Sequence, residues 1–75
     1  MAEPDYSVAL FYSTSAAIRG EKLAKQAGLV VKLIPVPRHL SSDCGVCLRC
    51  DSRDVPELRS LLEGARVEFE EIMRV

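Results

Sequence analysis

The 75-residue chain predicts an α+β two-layer sandwich, two helices on one face of a four-stranded antiparallel sheet in the order β-α-β-β-α-β. Three observations carry this reading. Apolar stretches of strand character begin at Tyr6, Leu29 and Val46, and a fourth follows Gly64. Helical periodicity appears twice, after Ser13 and after Asp54, once in each gap between a strand pair. Between the second and third strands the helical pattern is missing, and prolines and cysteines take its place. That interruption makes the order ferredoxin-like rather than a run of βαβ crossovers.

Each element has a local cause. Tyr6–Tyr12 alternates bulky and small residues and then turns wholly apolar, as a covered central strand does. Ser13-Thr14-Ser15 supplies N-cap candidates for a helix running to about Ala27. Its apolar positions are Ala17, Ile18, Leu23, Ala24 and Ala27, opposed by Arg19, Lys22, Lys25 and Gln26. Gly20 weakens this helix or admits a close neighbour, and Gly28 supplies its C-cap. Leu29–Pro35 is rich in β-branched residues and reads as the second strand, which Pro35 and Pro37 end. A stiff loop through Asp43 leads into a third short strand at Val46–Cys50. Asp54 and Glu57 have capping-box spacing before a helix that buries Val55, Leu58, Leu61 and Leu62 and runs to about Leu62, with Gly64 beyond it as the stop. Val67, Phe69, Ile72 and Met73 predict a last strand, placed at an edge by Glu68, Glu70 and Glu71.

Size and charge bound the function. Residues 1–75 make one small domain, and a domain of this length buries only ~60% of the surface its unfolded chain exposes. Pairing with a partner, or as a homodimer, would add stability. No apolar run approaches a membrane span, and the acidic start at Glu3 and Asp5 is unlike a secretory signal, so a cytoplasmic chain is expected. The net charge is −1, unevenly spread: residues 13–53 carry an excess of Lys and Arg, and residues 54–75 an excess of acids. The basic middle is too diffuse, and aromatic residues too few, for a nucleic-acid surface.

All three cysteines, Cys44, Cys47 and Cys50, fall in the basic middle, close to the only histidine, His39. An odd count fits a disulfide framework poorly, so the cysteines read as thiols, as metal ligands or as a redox pair. In the predicted topology the loop between the second and third strands lies at the same end as the first helix's N-terminus. That brings Cys44 and Cys47 toward the amides of Ser13, Thr14 and Ser15. Helix amides and a nearby Arg38 stabilise a thiolate, and Gly45 lets the backbone turn sharply beside the sulfur. Cys50 would lie ~10 Å from Cys47 toward the other end of its strand.

Each of these residues also has a plainer reading. A buried cysteine is a small hydrophobe, and Cys50 in its strand fits that role best. His39 reads as a solvated side chain or as a base near the thiol. Ser41 and Ser42 hold the loop through side-chain-to-backbone bonds. His39 with Cys44 and Cys47 gives three ligands, and zinc normally takes four, so no metal or other cofactor is expected in a monomer beyond transient sulfane sulfur or selenium. The missing fourth cysteine argues likewise against an iron–sulfur cluster.

Phe11-Tyr12-Ser13-Thr14, Glu21-Lys22-Leu23, Gly28, Leu33-Ile34-Pro35-Val36-Pro37-Arg38 and Ser41-Ser42-Asp43-Cys44-Gly45 together resemble the selenium/sulfur carrier-like family over nearly the whole chain. The resemblance implies the same ferredoxin-like fold and a carrier role, with Cys44 as the carrier thiol. The chain departs at Cys50, where an aromatic or aliphatic residue is expected. The function expected is a carrier rather than a turnover enzyme. Cys44 holds a persulfide or selenopersulfide, Cys47 serves as second thiol, and Arg38, His39, Ser13, Thr14 and Gly45 surround them. The expected donor is a cysteine desulfurase, with the acceptor open. The alternative is a thiol–disulfide redox switch or metal-binding module using Cys44 and Cys47.

Overall fold

The computed structural model describes residues 5–40 and 45–75. Strand β1 spans Tyr6–Leu10, helix α1 Thr14–Gln26, β2 Val31–Pro35 and β3 Val46–Asp51. A 3-10 turn at Ser52–Asp54 leads into α2, Val55–Gly64, and β4 is Glu71–Arg74. The sheet order is β2-β3-β1-β4 with every pairing antiparallel, which is the expected ferredoxin-like sandwich. No helix among the described residues is long and apolar enough to cross a membrane.

Residue register assigns each strand position to a face. Leu33, Leu48, Ala9 and Ile72 form one row across the four strands, beneath the helices. Phe11, Ala17, Ala24, Cys50, Leu58, Leu62 and Val67 complete that core. The opposite face carries the rows Ile34–Cys47–Leu10–Glu71 and Lys32–Arg49–Val8–Met73. No helix among the described residues covers it, yet Val8 and Cys47 are 0% exposed and Leu10 is 2% exposed, so the sheet has a second, smaller core on its outer side. Arg49 folds back along this face, with its guanidinium 4.4 Å from the centre of the Tyr6 ring.

Helix α1 starts where expected. The Ser13 hydroxyl accepts the Ala16 N–H at 3.2 Å from an extended N-cap. The helix ends in a Schellman motif: Gly28, at φ +86°, donates to Lys25, and Leu29 donates to Ala24. Its buried stripe is Ala17, Gly20 and Ala24, whereas Ile18 and Ala27 are exposed. Small residues win the inner line because α1 lies close to its neighbours. A Cβ on Gly20 would come within 3.0 Å of the Phe11 ring and 3.1 Å of Leu62.

Three local expectations are corrected. Asp54 makes no capping bond, because the 3-10 turn runs straight into α2. The cap moves upstream to Asp51, whose carboxylate accepts the Arg53 N–H at 3.1 Å. Helix α2 includes Gly64, and its Schellman closure uses Arg66 at φ +58°, with Arg66 donating to Glu63 and Val67 to Leu62. That closure holds Val67 and Phe69 against the core in an irregular segment, so β4 begins only at Glu71. It does lie at an edge, as expected.

Candidate functional site

The cysteine segment leaves β2 at Pro35. The Val36 N–H donates to the Gly45 carbonyl at 3.2 Å, which closes the base of the β2–β3 connection. Pro37 then begins a turn in which the Leu40 N–H returns to the Pro37 carbonyl at 2.9 Å. Arg38 and His39 project from this turn and are exposed, while Val36 and Leu40 are half-buried. Ser41, Ser42, Asp43 and Cys44, the expected carrier cysteine among them, lie outside the described residues.

Gly45 is exposed, its φ lies outside the left-handed region, and an added Cβ would meet nothing within 4 Å. Two residues on, Cys47 is wholly buried on the outer face of β3, opposite Leu10 on one side and Ile34 on the other. Its Sγ lies 4.0 Å from the Pro35 carbonyl, a weak thiol donation. Among the described residues, Ile34, Val36, Leu40 and Met73 pack on the Val8–Leu10–Cys47 cluster. Val36 and Leu40 are the two of these that come from outside the strands. Neither stood out in the sequence as a site residue, because isolated apolar residues in a loop carry no periodic signal.

The register also fixes what lies at this end of the sheet. Leu10, the last residue of β1, pairs with Cys47, and Ser13 follows three residues later as the α1 cap. The described base of the β2–β3 connection and the start of α1 therefore share one end of the sandwich. They sit on different faces of it, since α1 covers the inner face and Cys47 belongs to the outer one. The start of β4 reaches the same end: Glu71 pairs with Leu10, so acidic residues flank the side away from β2. Lys32 and Arg49 stand one row behind Cys47 on its own face. The Arg49 guanidinium, over the Tyr6 ring, points toward the other end of the sheet, where Tyr6 pairs with Asp51.

Cys50 belongs elsewhere. It sits in the helix-covered core opposite Ser7, 1% exposed. Burial, reinforced by Asp54 and Asp51, pushes its thiol up to about 11. Beside it the Ser7 and Ser52 hydroxyls are 2.7 Å apart, and Ser52 donates to Asp5 at 3.0 Å. Asp5 in turn pairs with Arg74 at 3.2 Å. This polar chain ties both termini to the turn before α2. Among the described residues, no three His, Cys, Asp or Glu side chains gather as a metal site.

A family model described as "Putative Se/S carrier protein-like" matches residues 5–74. Comparison with curated proteins finds no match, and neither does comparison with solved structures.

Proposed function

Because the chain belongs to this Se/S carrier-like family, we propose that it holds sulfane sulfur or selenium on Cys44, as a persulfide or selenopersulfide, and passes it to an acceptor. Loading is an exchange. The Cys44 thiolate attacks the outer sulfur of a donor's persulfide, the sulfur–sulfur bond in the donor breaks, and the donor leaves as its own thiolate. No electron is gained or lost overall, so the carrier needs no resident cofactor. A cysteine desulfurase is the donor that presents sulfur in this form. The acceptor repeats the same exchange. The cytosol, where thiols stay reduced, is the setting the cycle requires.

The observation that supports this reading is the pairing of Leu10 with Cys47, by which the base of the cysteine segment and the start of α1 share one end of the sandwich, on opposite faces of the sheet. A helix start presents a positive dipole end that favours an anionic sulfur, and the exposed Arg38 adds a cation on the same connection. Incubation with a cysteine desulfurase and cysteine, followed by intact mass spectrometry, tests the proposal. The wild type should gain one sulfur atom, and Cys44→Ser should gain none. Undiminished loading of Cys44→Ser sinks it, as does a Cys44–Cys47 disulfide forming with no sulfur uptake.

A further inference from the structure

The outer face of the sheet carries charge that a single copy leaves unbalanced. Lys32 and Arg49 stand directly opposite each other on β2 and β3. Like charges paired across strands are destabilising. Arg49 relieves part of this by lying over the Tyr6 ring. Lys32 is exposed and, among the described residues, has no ion pair. At the opposite edge of the same face Glu71, on β4, is exposed and has none either. One edge of this face is therefore basic and the other acidic.

The same surface carries apolar side chains. Of the five exposed large hydrophobics among the described residues, Tyr6, Val30 and Val75 gather at one end of the sheet. Tyr6 opens β1 opposite Asp51, and Val30 just precedes β2, whose first residue lies opposite Cys50. The Val75 N–H donates to the Tyr6 carbonyl at 3.1 Å, which carries the β1–β4 pairing one residue past β4. Alternation along the strands puts Tyr6, Val75 and Asp51 on the outer face.

We propose that the outer face is the contact of a homodimer, formed about a two-fold axis that runs roughly along the strands. Such an axis turns the sheet over and reverses its order, so β2 of one copy lies over β4 of the other, and β3 over β1. Lys32 then comes beside Glu71 of the second copy. Asp51 of the second copy comes over Tyr6, where the Arg49 guanidinium already lies. Val75 comes over the start of β2, where Val30 is 84% exposed. Each contact is made twice. A two-fold axis across the strands has the opposite effect, because it lays β2 on β2 and sets Lys32 against Lys32. The charge pattern thus selects both a second copy and its orientation. Near-aligned strands are an ordinary geometry for two packed sheets, and a domain this small gains from burying more surface.

Sedimentation velocity under reductant and in low salt, over a range of concentrations, tests the proposal, with folding checked by circular dichroism. The wild type should become dimeric as concentration rises. Lys32→Glu and Glu71→Lys should each weaken the dimer roughly tenfold, because each sets like charges together twice. An equimolar mixture of the two variants should regain it. That heterodimer sets the introduced acid against the introduced lysine on one side and keeps the native pair on the other. A mixture that associates no better than either variant alone overturns the proposal, as do single variants that dimerise like the wild type. A wild type that stays monomeric up to about 1 mM overturns it too, and leaves this face to a partner of different sequence. None of these outcomes depends on sulfur uptake, so the dimer stands or falls apart from the carrier reading.

Discussion

Cys47 and Cys50 sit three residues apart on β3 and face opposite sides of the sheet, Cys47 in the outer cluster and Cys50 beneath the helices. A disulfide needs Cα atoms within ~7 Å, and three residues of strand span about 10 Å. The sheet itself also stands between the two sulfurs. In a Cys44→Ser variant, mild oxidation with diamide should therefore leave both thiols reduced, as peptide mapping after alkylation would read. A Cys47–Cys50 bridge in that variant would contradict the register.

Cys50 makes stability depend on alkaline pH. Its thiol is raised from 9.0 to about 11 in the folded chain. Between those values the unfolded chain has lost the proton and the folded chain keeps it, so stability falls as pH rises. The contribution is fully present below about pH 9 and is lost toward pH 11, on the order of 2–3 kcal/mol across the window at ~1.4 kcal/mol per pH unit. Cys50→Ala should flatten this slope relative to the wild type in urea titrations at pH 8, 9 and 10. Parallel slopes for the two proteins would show that Cys50 is not the group responsible.

Ser13 bears on both stability and loading. Its hydroxyl already accepts the Ala16 N–H, so its first effect is structural. Ser13→Ala should cost about 1 kcal/mol by loss of the cap, and Ser13→Asp should restore most of it. The aspartate places a negative charge at the helix start, where the carrier reading puts an anionic sulfur. Ser13→Asp should then load sulfur more slowly than Ser13→Ala despite being the more stable of the two. Equal loading rates for the two variants would remove the helix start from the chemistry.

The parts legible in sequence are those with a local cause. The cap at Ser13, the left-handed Gly28 and the break at Pro35 each act within a few residues, and the structure keeps all three. Element order then gave the antiparallel sheet and the shared end of Leu10 and Cys47. What escaped depends on distant contacts. Ile18 satisfies the helical period of α1 and is still 49% exposed, because Gly20 takes the inner line against Phe11 and Leu62. Leu40 has no periodic neighbours, so its packing on the outer cluster is visible only in three dimensions. The alternation of β3 separates Cys47 from Cys50, but the sequence shows no reason to expect a second core on the face without helices.

The end of α2 is open to improvement. Arg66 holds φ +58°, where a side chain costs roughly 1 kcal/mol, while Gly64 occupies an ordinary helical position with open space around it. Gly64→Ala and Arg66→Gly should each raise stability by about 0.5–1 kcal/mol, and additively if they act independently. Chemical denaturation reads both. A loss in either variant would mean that the Schellman closure depends on the native side chains.

The same glycine-to-alanine change in α1 should have the opposite sign. Intrinsic helix propensity favours alanine by about 1 kcal/mol at position 20 as well. There, however, the new methyl meets Phe11 at 3.0 Å and 3.3 Å and Leu62 at 3.1 Å. Phe11 and Leu62 are both fully buried, so neither ring nor branch can swing into solvent to make room. Overpacking of this kind costs ~1–3 kcal/mol, which exceeds the propensity gain. Gly20→Ala should therefore destabilise by about 1 kcal/mol net. Gly20→Ala/Leu62→Ala should fall short of the sum of its single-variant losses, because removing the Leu62 branch relieves part of the clash. A stabilised Gly20→Ala would show that α1 can move away from the sheet more easily than its small-residue stripe implies.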